Sequence, residues 1–180
     1  VNTFDMLRKA LKGRYAVGAF NANNMEIIQA IVDAAEMEKS PVILQASQGA
    51  IKYAGLDMIV AMVKNAAENA SVPVALHLDH GTDLEQNIKC LRAGFTSLMY
   101  DGSKLPFADN VANTKVVVDM AHACGLAVEA EIGQIGKCAD SDEPGVSIEK
   151  AKESMAVPEE AAECIKQTKA DFLAAAVGTI

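Results

Sequence analysis

Val74-Ala75-Leu76-His77-Leu78-Asp79-His80-Gly81 is an apolar run that ends in ionisable groups. Its hydrophobic part is short and nearly continuous, as in strands covered on both faces of a parallel sheet. The strand reads as Val74 to Asp79; His77, Asp79 and His80 crowd its carboxyl end, and Gly81 stops it. A buried strand has no structural need for such groups there. Each costs free energy unless it is paired, hydrogen-bonded or bound to metal. In parallel α/β folds the carboxyl edge of the sheet is where pockets form. The stretch therefore predicts both a parallel sheet and a site at its edge.

Similar runs recur on either side: Tyr15 to Asn21, Val42 to Ala46, Phe95 to Asp101, Leu126 to Ile132 and Phe172 to Val177. Helical patterns fill the gaps. Val1 to Lys12 reads as an amphipathic helix. Asn23 is a candidate cap, with Glu26 three positions on, for a helix carrying Ile27, Ile28, Ile31, Val32 and Ala35. Met58, Ile59, Met62, Val63 and Ala66 mark the next. Leu84, Ile88 and Leu91 mark a third, stopped by Gly94. Val111, Thr114, Val117, Val118 and Ala121 mark a fourth, closed by Gly125, and Pro158 opens a fifth through Cys164 and Ile165. Strands alternating with helices give right-handed crossovers and a parallel sheet. The spacing fits an open doubly wound sheet or a closed (β/α)8 barrel alike. No linker divides the chain, which reads as a single domain over 1–180.

The stretch 133–157 is unusually long for a connection, and loops beyond about 15 residues are often functional. It follows a strand that ends in Glu129 and Glu131, and it carries Asp140, Asp142 and Glu143. A lid over a site and a plain solvated excursion both fit.

Sixteen basic and twenty-four acidic residues give a net charge of -8, which argues against a nucleic-acid surface and an acidic membrane. An anionic substrate would need a local positive centre such as a metal. No apolar run approaches the roughly 20 residues of a membrane span. The four cysteines form no Cys-x-x-Cys pair, the usage of a reduced, cytoplasmic protein. Cys90, Cys124 and Cys164 fall on helical patterns and read as core filler, whereas Cys138 sits in the polar loop.

Acids or imidazoles end three strands: Asp79 with His80, Asp101, and Glu129 with Glu131. One imidazole and several carboxylates from separate strands suit a zinc-like divalent metal. Each has an ordinary reading too. Asp79 could cap the next helix. Asp101, before Gly102 and Ser103, could make a turn. His77 reads as a hydrogen-bonded structural residue and His122 as a merely exposed one. One of Glu129 and Glu131 could be an ion-pair partner. Together, three acid-bearing ends on one edge favour a site. Gly133-Gln134-Ile135-Gly136 lacks the start of a dinucleotide fingerprint and follows the wrong strand.

Five segments, taken in order, carry a resemblance: Val17-Gly18-Ala19-Phe20-Asn21, residues Ser40 to Ser47, Leu76-His77-Leu78-Asp79-His80-Gly81, residues Gly94 to Ser103, and Val128-Glu129-Ala130-Glu131-Ile132-Gly133. The chain resembles the class II, metal-dependent fructose-bisphosphate or tagatose-bisphosphate aldolases. The resemblance implies a (β/α)8 TIM barrel, an α/β fold of which this chain holds about six of the eight strands. It implies reversible cleavage of a ketose 1,6-bisphosphate to dihydroxyacetone phosphate and glyceraldehyde 3-phosphate. Asp79 is then the acid–base group, and His80, with Asp101 and Glu131, a metal-binding set for Zn2+, with a second divalent or a monovalent cation in addition. Asn21 and Ser47 match substrate-contacting positions.

Two departures stand out. The family's loop glutamate is out of register, which leaves Asp140, Asp142 or Glu143 as candidate bases. Further histidine ligands that the family carries are absent from these 180 residues. The chain is therefore expected to be a fragment, inactive alone and prone to self-associate through open sheet edges. The alternatives are a partial-barrel scaffold without catalysis, and an aldolase for tagatose 1,6-bisphosphate.

Overall fold

The computed structural model describes residues 1–134, 152 and 154–178. The elements run α1 (Thr3–Gly13), β1 (Gly18–Asn21), α2 (Met25–Glu38), β2 (Val42–Ser47), α3 (Gln48–Ala54) and α4 (Leu56–Asn69). Then follow β3 (Val74–Asp79), α5 (Leu84–Ala93), β4 (Ser97–Tyr100), α6 (Phe107–Ala123), β5 (Ala127–Ile132), α7 (Pro158–Thr168) and β6 (Phe172–Ala175).

All neighbouring strands are parallel, and their order in the sheet is β1-β2-β3-β4-β5-β6. A doubly wound sheet reverses its strand order at a switch point, and this one does not. The sequential order belongs to a singly wound, curling sheet of the (β/α)-barrel class. Among the described residues β1 and β6 are its unpaired edges.

The pleat sorts the strand residues. Leu44, Ala46, Leu76, Leu78, Leu98, Tyr100, Val128 and Ala130 face the helices and join one large apolar cluster with Ile28, Ile59, Val63, Cys90, Val117 and Cys164. Ile43 and Ala75 face the other way and meet Met6 of α1, with Leu7 and Val17 around them. Phe4 packs on Phe172, ring centroids 6.3 Å apart, and Arg8 lies 5.4 Å from the Phe4 ring. Helix α1 thus covers the amino end of the sheet's inner face and leaves the carboxyl end open.

Several local expectations need correction. Asn24, not Asn23, caps α2: its side chain accepts from the Ile27 amide at 2.9 Å. Asp83, not Asp79, caps α5 by accepting from the Gln86 amide at 2.7 Å. That frees the Asp79 carboxylate for the strand's end. Cys90 and Cys164 are buried as expected, and burial pushes the Cys90 thiol up to about 11. Cys124 is exposed because it falls at the end of α6, past the last buried turn. The short helix α3 had no apolar repeat to reveal it. Cys138 and most of the stretch 133–157 lie outside the described residues.

Candidate metal centre

The carboxyl ends of β3, β4 and β5 meet through the backbone. Gly81 bridges Tyr100, and the Asp101 amide donates to the Gly81 carbonyl at 3.0 Å. A Cβ on Gly81 would lie 2.6 Å from the Met99 carbonyl oxygen, so only glycine allows this approach. His80, just before it, holds a left-handed backbone with φ 49°. Such a conformation costs a non-glycine residue about 1–2 kcal/mol. Here it turns the chain so that the imidazole reaches the neighbouring strand ends.

His80 Nδ1 lies 3.0 Å from Asp101 Oδ2 and 3.2 Å from Glu131 Oε2. Asp101 Oδ1 accepts from the Ser103 amide at 3.1 Å and from its hydroxyl at 2.7 Å. The turn reading of Asp101 was therefore correct for one oxygen, and the other faces the site. Glu131 is 5 % exposed, and its Oε2 makes no hydrogen bond with suitable geometry. The backbone behind it is fixed by Asn110, whose Nδ2 donates to the Glu131 carbonyl at 2.9 Å.

The charges are tightly linked. The Asp101 carboxylate, then the Glu131 carboxylate, raises the His80 pKa to about 10 against the opposing effect of burial. Burial pushes the Asp101 carboxyl up, but His80 and Ser103 outweigh it and hold it well below the usual range. Burial, aided by the nearby Asp101 charge, raises Glu131 despite the attraction of His80. An imidazolium thus sits where a cation is wanted.

Ligand atoms of His80, Asp101 and Glu131 all lie within 4.8 Å of one another. One nitrogen and carboxylate oxygens match the donors that zinc-like divalent ions take. Glu131 Oε2, buried beside His80 without a well-aligned hydrogen bond, is the kind of acceptor that a metal satisfies. The residues fit a divalent cation.

Asp79 stands beside this group. Its Oδ1 is 3.8 Å from His80 Nε2, and its Oδ2 accepts from Gln45 Nε2 at 3.1 Å. The same Gln45 nitrogen donates to Asn21 Oδ1 at 3.0 Å, which ties Asn21 to Asp79. Ser47 pairs in register with Asp79, but its hydroxyl accepts from the Ala50 amide and caps α3. Ser47 and Asn21 line a neighbouring cavity of about 500 Å³. Asp79, His80 and Glu131 line a cavity of about 220 Å³ with Gln45, His77 and Glu129. A larger cavity of about 600 Å³, bordered by Ser103, Asn110 and Met155, holds none of the four acid and imidazole residues. Asp140, Asp142 and Glu143 lie outside the described residues.

Sequence reasoning missed Gln45 and Asn110, while the turn reading of Asp101 already included Ser103. Gln45 had a signal, as the polar interruption of an apolar strand. Asn110 sits on a helix with nothing to mark it. His77 is the hydrogen-bonded residue expected, with Nδ1 2.8 Å from Ser97 Oγ. His122 is more than exposed: its Nε2 lies 2.9 Å from Asp171 Oδ2, which also accepts from the Val128 amide.

A singly wound parallel sheet places the chain in the (β/α)-barrel class, with a group at its carboxyl edge that could hold a divalent metal. The family model for class II fructose-bisphosphate aldolases matches residues 1–180, and the chain belongs to that family. It is 49 % identical to a fructose-bisphosphate aldolase of Thermus caldophilus over 99 % of this chain and 57 % of that protein. It is 48 % identical to one of Geobacillus stearothermophilus over 100 % of this chain and 62 % of that protein. The crystal structure of the YdjI aldolase from Escherichia coli K12 superposes with a TM-score of 0.86 at 32 % identity, covering 99 % of this chain and 62 % of that one. The chain thus spans about three-fifths of the length of these relatives.

Proposed function

We propose that the protein containing these 180 residues is a metal-dependent aldolase acting on fructose 1,6-bisphosphate. The carrying observation is the meeting of Asp79, His80, Asp101 and Glu131 at one sheet edge in a chain of this family. His80, Asp101 and Glu131 would hold Zn2+. What the ion supplies, when bound, is stabilisation of the negative charge that develops as the carbon–carbon bond breaks.

Asp79 moves the proton. In cleavage its carboxylate takes the proton of the hydroxyl on the carbon that becomes the aldehyde. The freed oxygen electrons form the aldehyde carbonyl, and the electrons of the broken carbon–carbon bond stay on the ketone half. In condensation the same carboxyl returns the proton. Gln45 holds Oδ2 of Asp79 and leaves Oδ1 on the His80 side. Asn21 and Ser47 contact the phosphorylated sugar. One of Asp140, Asp142 and Glu143 serves as the carbon-proton base. The 180-residue chain by itself, with β1 and β6 as unpaired edges among the described residues, would self-associate through them.

The 180 residues alone are proposed to give no turnover. His80 is the imidazole at the site, while His77 and His122 are engaged with Ser97 and Asp171.

The test is cleavage of fructose 1,6-bisphosphate by the protein containing this chain, with its product reduced by a coupled, NADH-consuming dehydrogenase. Chelation should abolish turnover, and Asp79→Ala should lower kcat by about 10²–10⁴-fold. Cleavage that survives both, or a metal-loaded protein inert towards fructose and tagatose bisphosphates, would refute the reading.

A further inference from the structure

A line of polar side chains runs through the inner face of the sheet, beneath the candidate metal centre. Interiors of such barrels are normally filled by branched apolar residues. Here the Thr3 hydroxyl of α1 donates to Ser97 Oγ at 2.9 Å. Ser97 Oγ lies 2.8 Å from His77 Nδ1, and His77 Nε2 lies 3.3 Å from Glu129 Oε2. Thr3, Ser97 and His77 are buried, at 2 %, 0 % and 5 % exposure.

The acceptors orient the ring. Nε2 faces the Glu129 carboxylate at 3.3 Å, so a proton sits on Nε2, and Nδ1 shares a hydrogen bond with Ser97 Oγ, which also accepts from Thr3. The opposite tautomer would set a nitrogen lone pair against an anion. This assignment comes from the network of partners, as tautomers generally must.

Glu129 and Glu131 are two residues apart on β5 and so lie on the same face of the sheet. Both line the cavity of about 220 Å³ that also contains Asp79 and His80. Only Glu131 joins His80 and Asp101 in the metal-competent group. Glu129 is drawn to His77 instead. The distinction matters because catalytic metal sites keep a coordination position open for substrate. A third carboxylate would fill it.

We propose that His77 is a positioning residue that holds Glu129 off the metal, so that β5 contributes one carboxylate and a coordination position stays open. This rests on the metal reading given above. The tie begins at Thr3, so the seating of α1 sets it. His77 itself stays off the ion because both ring nitrogens are engaged.

The test uses the 180-residue chain with Co2+, whose visible absorption reports coordination number and whose affinity is read by calorimetry. The variants are His77→Leu, His77→Gln, Glu129→Gln and the double variant His77→Leu/Glu129→Gln. The parent is expected to give the strong absorption of a low-coordinate ion. His77→Leu should bind Co2+ at least about tenfold more tightly, the scale of changes around metal ligands. Its absorption bands should shift as the Glu129 carboxylate replaces a solvent ligand. The double variant should return to the parent's affinity and spectrum, and His77→Gln, which keeps a donor, should stay near the parent. Ser97→Ala, which loosens His77 without removing it, should move the same way by less and serves if His77→Leu does not fold.

An unchanged or weaker affinity in both His77→Leu and Ser97→Ala overturns the proposal and leaves the metal reading standing. So does a loss of affinity in Glu129→Gln alone, which would make Glu129 a ligand already. A parent chain whose Co2+ binding is absent, or indifferent to Asp101→Asn, overturns the metal reading and this proposal with it.

Discussion

His80 is the residue in which backbone and chemistry meet. Its φ is a left-handed 49°, and Gly81 follows where any Cβ would strike Met99 and Asn87. Gly81→Ala should therefore cost about 1–3 kcal/mol, as overpacking does, and should weaken metal binding at the same time. Chemical denaturation and calorimetry would read the two losses. An alanine variant as stable as the parent would contradict the close approach. The charge of His80 gives a second prediction. Its pKa is raised from 6.5 to about 10, so its contribution to stability is full below about pH 6.5 and lost as pH rises towards 10. A metal must displace that proton. Metal affinity should then climb between about pH 7 and 9, with about one proton released per ion. Calorimetry in buffers of different ionisation enthalpy measures the release, and its absence would show that His80 is not a ligand.

Elements were legible where packing writes a pattern, and obscure where a single side chain decides. β3 was read from Val74 to Asp79, with the observed bounds, because it is buried on both faces. β1 was read three residues early: Tyr15, Ala16 and Val17 are apolar, but pairing with β2 begins at Gly18. α3 was missed because it spans only Gln48–Ala54, too short for a helical repeat to emerge. Caps failed for a related reason. Asn23 and Asn24 are equal in type, and only the backbone chooses between them. Asn24→Ala should cost about 1 kcal/mol, while Asn23→Ala should change stability by less than about 0.5 kcal/mol. Urea midpoints of the two variants would show the difference, and equal losses would contradict the cap at Asn24.

At the scale of the molecule, the site exists because strands distant in sequence are neighbours in a sequentially ordered sheet. The acids at the strand ends were legible because they break apolar runs. That Glu131 rather than Glu129 meets His80 followed from the family resemblance and not from the residue pattern, since both share one face; in the structure Glu129 lies beside His77, itself tied through Ser97 to α1. The same geometry makes the metal a structural clamp. His80 follows β3, Asp101 follows β4 and Glu131 lies at the end of β5, so an ion held by all three joins three strand ends of a sheet whose edges are unpaired among the described residues. Unfolding separates these ligands, and the unfolded chain has no site to match. Binding must then stabilise the fold by mass action, about 2.7 kcal/mol when free metal is 100 times its Kd. Thermal unfolding of the 180-residue chain should therefore move upwards with added Zn2+ and return on chelation. Asp101→Asn and Glu131→Gln should each shrink that shift. Lys64→Ala, far from the site in an exposed pair with Glu68, should leave it intact. A Zn2+ shift that survives loss of both carboxylates would place the ion elsewhere on the molecule.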